Sequence, residues 1–119
     1  MFKLCQLEFQ SSDIEGTLNF AENVLDWKKV PVSIQDQVII EVPDDSPYGI
    51  SLKSVKSPAE GGPLTYFQST VPLENLLEKI KGSGGEILEG PKFVTGYGQV
   101  MIVKAPGQVK LGLFYEIGR

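Results

Sequence analysis

The sequence predicts an α+β fold made of two tandem copies of one βαβββ unit, and three observations carry that expectation. Apolar residues follow a period of two, then a helical period, then a period of two again, and the whole order is repeated once. A stretch rich in proline and glycine, Ser57-Pro58-Ala59-Glu60-Gly61-Gly62-Pro63, separates the two runs. Short matches recur in the same order on either side of it. Phe9-Gln10-Ser11 returns as Phe67-Gln68-Ser69, and Ile14-Glu15 as Leu73-Glu74. Gln37-Val38-Ile39-Ile40 returns as Gln99-Val100-Met101-Ile102, and Tyr48-Gly49-Ile50 lines up with Leu111-Gly112-Leu113. Residues 1–119 therefore read as a single domain with repeats at 1–57 and 64–119, joined by a linker at 58–63.

In the first unit, Leu4, Gln6, Glu8 and Gln10 alternate with Cys5, Leu7 and Phe9, which predicts a strand from Phe2 to Gln10 with one apolar face. Ser12 or Asp13 can accept a hydrogen bond from the orphan N–H groups of a helix start. Ile14, Leu18, Ala21, Val24 and Leu25 then follow at helical spacing, and the helix is expected to end near Asp26-Trp27. Pro31 and the polar run from Ser33 to Asp36 mark breaks around a short strand or connector. Gln37 to Val42 is rich in β-branched residues and reads as a strand. Pro43 to Pro47 reads as a turn, and Tyr48 to Val55 as a further strand.

The second unit repeats the order. Leu64 to Thr70 is strand-like. Leu73, Leu76, Leu77 and Ile80 form a helical stripe beginning at Pro72, and Gly82-Ser83-Gly84-Gly85 stops it. Glu86-Ile87-Leu88 predicts a short strand. Gln99 to Lys104 and Lys110 to Ile117 predict the last two, joined by a turn at Ala105-Pro106-Gly107. Gly96-Tyr97-Gly98-Gln99 has no helix after it, so a hairpin turn with Tyr97 at its tip is expected rather than a phosphate loop.

Composition removes several function classes. Of 119 residues 41% are hydrophobic, enough for one core, and the net charge is -4 with its eleven Lys and Arg scattered, so no nucleic-acid partner is expected. No apolar run approaches the roughly 20 residues that span a bilayer, and no apolar leader is visible, so no membrane partner and a cytoplasmic location are expected. The single cysteine, Cys5, cannot form an intrachain disulfide or a CxxC site and is expected to be a buried strand residue. A chain without histidine cannot run Ser-His-Asp or Cys-His catalysis. A carboxylate general base is still available, with Glu8 and Glu116 as candidates.

Leu73 to Ile80 followed by Gly84-Gly85-Glu86-Ile87-Leu88, then Gly90-Pro91-Lys92 and the close from Ala105-Pro106-Gly107 to Leu111-Gly112-Leu113-Phe114-Tyr115-Glu116, resembles the vicinal oxygen chelate superfamily. That group includes glyoxalase I, extradiol dioxygenases, and fosfomycin- and bleomycin-resistance proteins. The first half is similar through Asp13-Ile14-Glu15 and Phe20 to Trp27, so the resemblance covers nearly the whole chain. It implies two βαβββ units side by side, their strands curled into an open mixed barrel around a pocket with the helices outside. In metal-dependent members four ligands face that pocket, two from each unit. They are usually His or Glu, sometimes Gln, on the first and last strands of a unit.

Carried onto this chain, the resemblance puts Gln6, Lys53, Thr65 (or Leu64) and Glu116 at those positions. The set suits a divalent metal poorly, because only Glu116 is anionic and the Lys53 ammonium has no lone pair to donate. The expectation is no metal and no cofactor. Oxygen ligation of magnesium or manganese by Gln6, Glu8 and Glu116 stays open. Lys53 either neutralises Glu116 within one pocket or extends to solvent while Glu116 ends a strand. Trp27, Tyr48, Tyr66, Tyr97 and Tyr115 suit a pocket or an interface, whereas Phe9, Phe20 and Phe67 look like core. Tyr66 and Gln68 share one strand face, as do Gln6 and Glu8.

The expected binding set is thus Gln6, Glu8, Lys53, Tyr66, Gln68 and Glu116. The expected function is metal-free binding of a small, partly apolar molecule, in a homodimer like those of the bleomycin-resistance branch. The alternative is a glyoxalase- or dioxygenase-type lyase or oxidoreductase using an oxygen-ligand metal site or a Glu base. A regulatory domain without any ligand is the third reading.

Overall fold

The computed structural model describes residues 3–34, 37–42, 48–61 and 63–117. Phe2, the polar break at 35–36 and the expected turn from Pro43 to Pro47 lie outside the described residues. The first unit runs β1 (Gln6–Ser11), α1 (Ile14–Val24), β2 (Lys29–Ile34), β3 (Gln37–Ile40) and β4 (Gly49–Ser54). The second runs β5 (Tyr66–Gln68), a 3-10 turn (Leu73–Leu76) leading into α2 (Leu77–Gly82), then β6 (Glu86–Val94), β7 (Gly98–Ala105) and β8 (Val109–Glu116).

Each unit forms its own four-stranded mixed sheet. The order is β1-β4-β3-β2 in sheet one and β5-β8-β7-β6 in sheet two, so the two sheets share one topology. The first and last strands of each unit pair in parallel, and the other pairs are antiparallel. The result is an α+β pair of βαβββ sheets, and they do not close into a barrel.

Strand alternation decides what each sheet face does. In sheet one Ile50, Leu52 and Ile40 pack with Leu18 of α1, and Leu7 and Phe9 join them from β1. In sheet two Met101, Val103, Leu111 and Leu113 pack against Leu73 and Ile80, and also against Phe20 and Val24 of α1. The first helix therefore supplies both cores. Phe9, Trp27 and Phe67 close the seam between the units, with ring centroids 5.5 to 6.3 Å apart.

The two helices begin differently. Asp13 caps α1 by accepting a hydrogen bond from the Gly16 N–H at 3.0 Å. Pro72 has no capping side chain. Gln99, buried on β7, takes that role from across the sheet: its Oε1 accepts from the Leu73 N–H at 3.0 Å and its Nε2 donates to Glu74.

A chain of hydroxyl groups fastens the β7–β8 hairpin to the start of α1. The Asp13 N–H donates to Ser11 Oγ at 2.9 Å, and Ser11 Oγ lies 2.7 Å from Thr17 Oγ1. The Thr17 hydroxyl reaches the Pro106 carbonyl, and the Ser12 N–H donates to the Gly107 carbonyl at 3.1 Å. Ser11 and Thr17 are both buried. Gly107 has φ +88, and a Cβ there would sit 2.1 Å from Ser11 Oγ, so both the turn and its partner require glycine.

Four local expectations change. Cys5 precedes β1 and is exposed, although its carbonyl accepts from the Gly49 N–H at 2.9 Å. The strand expected at Glu86–Leu88 continues to Val94, crossing Gly90-Pro91 by two register shifts. It lies at the edge of sheet two, where a proline costs no ladder bond. Pro31 sits inside edge strand β2, which continues past it with a register shift between Lys29 and Ser33. The strand expected at Leu64–Thr70 keeps only Tyr66–Gln68.

Replacing Thr17 by Val should lower unfolding free energy by about 1–3 kcal/mol, since it removes one partner of the buried Ser11 hydroxyl and the donor to the part-buried Pro106 carbonyl. Thr17→Ser, which keeps the hydroxyl, should retain most of it. Urea denaturation of both variants measures this, and equal losses would remove the hydroxyl chain as the cause.

Candidate functional site

Because Phe67 turns toward the core, its neighbours Tyr66 and Gln68 point to the open face of sheet two. Parallel pairing sets Tyr66 beside Gly112 and Gln68 beside Phe114. Antiparallel pairing then sets Phe114 beside Val100. Tyr97, at the tip of the β6–β7 hairpin, folds over this row and meets Phe114 edge-on at 6.3 Å and 76°. These five residues, Tyr66, Gln68, Tyr97, Val100 and Phe114, line a pocket of about 390 Å³. Tyr66 and Tyr97 are 48% and 69% exposed, so the rings form accessible walls and not core.

A larger cleft of about 940 Å³ lies where β1, the linker and the β7–β8 hairpin approach one another. Its charged and amide groups include Glu8, Gln10, Glu60, Lys104 and Lys110. Gln10 also anchors the linker, its Oε1 accepting from the Ala59 N–H at 2.8 Å. This cleft is polar and mixed in charge, whereas the smaller pocket gathers three aromatic rings around one amide. The smaller pocket is the better match to a ligand site, which is mostly apolar with a few placed polar groups.

The expected binding residues are thus divided. Tyr66 and Gln68 share the aromatic pocket, and Glu8 lines the cleft. Gln6 sits beside Gly49 and its Nε2 donates to Ser51 Oγ at 3.1 Å. Lys53 lies between Gln10 and Gln37 in sheet one, and Glu116 faces Gly98 at the end of β8 in sheet two. Val100 and Phe114 escaped the sequence reading, because only the β7–β8 register shows that they lie together. The sequence puts Tyr97 at a turn tip, and the structure sets it over Phe114.

The same register gives the positions that correspond between units. Gln6 pairs with Gly49 as Tyr66 pairs with Gly112, and in both pairs the first residue's side chain lies over the glycine. Tyr66, and not Thr65 or Leu64, is the counterpart of Gln6. With that change the four positions carry an amide, a phenol, the Lys53 ammonium and the Glu116 carboxylate, and one anionic donor does not fit a divalent metal, which needs several anionic or imidazole donors. Among the described residues no three His, Cys, Asp or Glu side chains come together.

Charge beside the pocket comes from Lys92 and Glu89 on edge strand β6, which form an exposed ion pair. The hydrogen bond from Lys92, reinforced by its charge, holds the Glu89 carboxyl below the ordinary carboxylate range. The same bond raises the Lys92 ammonium. A second pair, Lys104 with Glu86 at 3.7 Å, spans β7 and β6.

No protein-family model matches the sequence, and no curated protein does. Solved structures do. A glyoxalase-related enzyme from Fulvimarina pelagi superposes with a TM-score of 0.77 at 13% identity, covering 98% of this chain and 89% of the other. The fosfomycin resistance protein FosX from Listeria monocytogenes, as an E126Q mutant with Mn(II) and 1S,2S-dihydroxypropylphosphonic acid, gives 0.74 at 17%, covering 96% and 90%. An integron cassette protein from V. cholerae gives 0.67 at 21%, covering 97% and 95%. The chain has the paired βαβββ fold of glyoxalase-like and FosX proteins, which is the fold of the vicinal oxygen chelate superfamily.

Lys92→Gln should return the Glu89 carboxyl upward toward its ordinary value and leave thermal stability unchanged, because the pair lies on the surface. A carbon-detected NMR titration of the side-chain carboxyl reads this directly. A Glu89 value that stays depressed would show another cause.

Proposed function

We propose that this chain is a metal-free small-molecule-binding protein whose ligand sits on the open face of sheet two. The observation that carries the reading is the pocket itself: three rings, Val100 and the Gln68 amide around about 390 Å³. That volume is near the lower end of the roughly 300–1,000 Å³ typical of small-molecule sites. The residues at the corresponding positions, Gln6, Lys53, Tyr66 and Glu116, include a single anionic donor, which supports ligand binding without a metal.

The chain acts as one domain in a cytoplasmic homodimer. Support for the dimer is the run of exposed apolar side chains on and beside edge strand β6, namely Leu88, Phe93, Val94 and Tyr97, with Phe93 71% exposed. Patches of that kind mark interaction surfaces.

One feature favours a second, enzymatic reading. Glu8 lines the larger cleft together with Lys104 and Lys110, where a carboxylate could act as general base on a bound substrate. In that case Glu8→Gln would abolish turnover of α-ketoaldehyde, catechol or epoxide substrates.

A ligand-observed NMR screen of small neutral compounds, mapped by amide shifts, tests the main reading. Hits should perturb Gln68, Tyr97 and Phe114, and Tyr97→Ala should weaken them about tenfold or more, the cost of losing one aromatic wall. Hits confined to the Glu8 cleft would favour the enzymatic reading. Chelator treatment should leave the melting temperature unchanged, since a metal stabilises only a state that binds it. A fall in melting temperature that a divalent metal restores would overturn the metal-free assignment.

A further inference from the structure

We infer that the pocket on sheet two takes a planar, uncharged aromatic ring, stacked on Tyr66 and held in plane by the Gln68 amide. This rests on the ligand-binding reading above and names the class of ligand.

The key contact is between Tyr66 and Gly112. A Cβ built on Gly112 would lie 2.5 Å from both Cδ2 and Cε2 of Tyr66 and 2.7 Å from Cγ, closer than any real side chain could approach. The ring therefore occupies the space a side chain on Gly112 would fill, against the β8 backbone. Glycine at this position permits that pose, since any larger residue would lift the ring away. The strand covers part of the ring, and Tyr66, 48% exposed, lines the pocket with the rest.

The surroundings complete a slot. Phe114 lies beside Gln68 on the neighbouring strand, and Tyr97 meets it edge-on. Val100 closes the floor across β7. Gln68 makes no hydrogen bond to a described protein group, so its amide offers a donor and an acceptor at the rim of the slot. No charged side chain lines the pocket, and Lys92 beside it is neutralised by Glu89. A charged ligand would find no partner of opposite charge in the lining.

The corresponding place in sheet one is already occupied. Gln6 lies over Gly49 in the same register, but its amide is bound to Ser51. The two units thus use one backbone device for different ends, and only sheet two presents a bare π face. Offset stacking adds about 0.5–1.5 kcal/mol beyond area burial, which corresponds to about two- to twelvefold in affinity.

The test compares 2-naphthamide with its saturated counterpart, decahydro-2-naphthamide, in ¹H–¹⁵N NMR titrations of the full chain. The expected result is several-fold tighter binding of 2-naphthamide, with ring-current shifts at the Gly112 and Gln68 amides. Tyr66→Leu keeps apolar cover over Gly112 and should bring the affinity ratio of the two compounds close to one without lowering the melting temperature. Gly112→Ala, which lifts the Tyr66 ring, should also reduce the ratio, and Tyr66→Leu carries the test if that variant does not fold. Equal affinities in the wild type would overturn the planar-ligand inference while leaving small-molecule binding intact. Selectivity that survives Tyr66→Leu would overturn the role of Tyr66. No shift at the pocket with either compound would overturn the inference outright, and the wider screen then decides the reading beneath it.

Discussion

The buried hydroxyl chain from Ser11 through Thr17 to Pro106 is the contact on which the arrangement of the two units depends. By sequence α1 belongs to the first unit, yet Phe20 and Val24 lie in the core of the second. Such sharing requires the helix start and the β7–β8 hairpin to meet at a fixed distance. Apolar packing alone sets no such distance, because it is non-directional. A hydroxyl chain does, since each group must find its partner or remain buried and unpaired at a cost of about 1–3 kcal/mol. Gly107 completes the fit, having neither the Cβ that would strike Ser11 nor a penalty for its positive φ.

This docking turns the apolar faces of both sheets toward the helices and leaves the alternate residues outward. The site is a consequence of that division. Tyr66, Gln68, Val100 and Phe114 share a face because each neighbours a core residue along its strand. Gly49 and Gly112 then mark equivalent places where a side chain from the first strand lies down across the last. The chemistry diverges at those two points. In sheet one an amide is consumed by Ser51, and in sheet two a phenol ring is left open to the pocket.

Much of the fold was legible because its signals are local. Asp13, the glycine run at Gly82–Gly85 and the period-two strands each act within a few residues. The features that escaped depend on register. Gln99 caps a helix 26 positions away in sequence, and nothing in its neighbourhood announces this. The length of β6 follows from two register shifts that let an edge strand pass through Pro91. The glycine match between Gly49 and Gly112 was visible, but the Phe-Gln-Ser match suggested a different offset for the partner strands. Pairing resolves the conflict by placing Tyr66 opposite Gly112.

Separating the faces also separates stability from recognition. Core residues such as Leu52, Met101 and Leu113 are almost wholly buried, and truncating any of them would leave a cavity. The pocket rings are far less buried, Tyr66 being 48% and Tyr97 69% exposed, so their contribution to folding is smaller. Their side chains can therefore vary without disturbing the helix-side core. A sheet that stays folded through one face can change its ligand through the other. In this chain the link between the two is Gly112, which is core backbone on one side and the bed of the Tyr66 ring on the other.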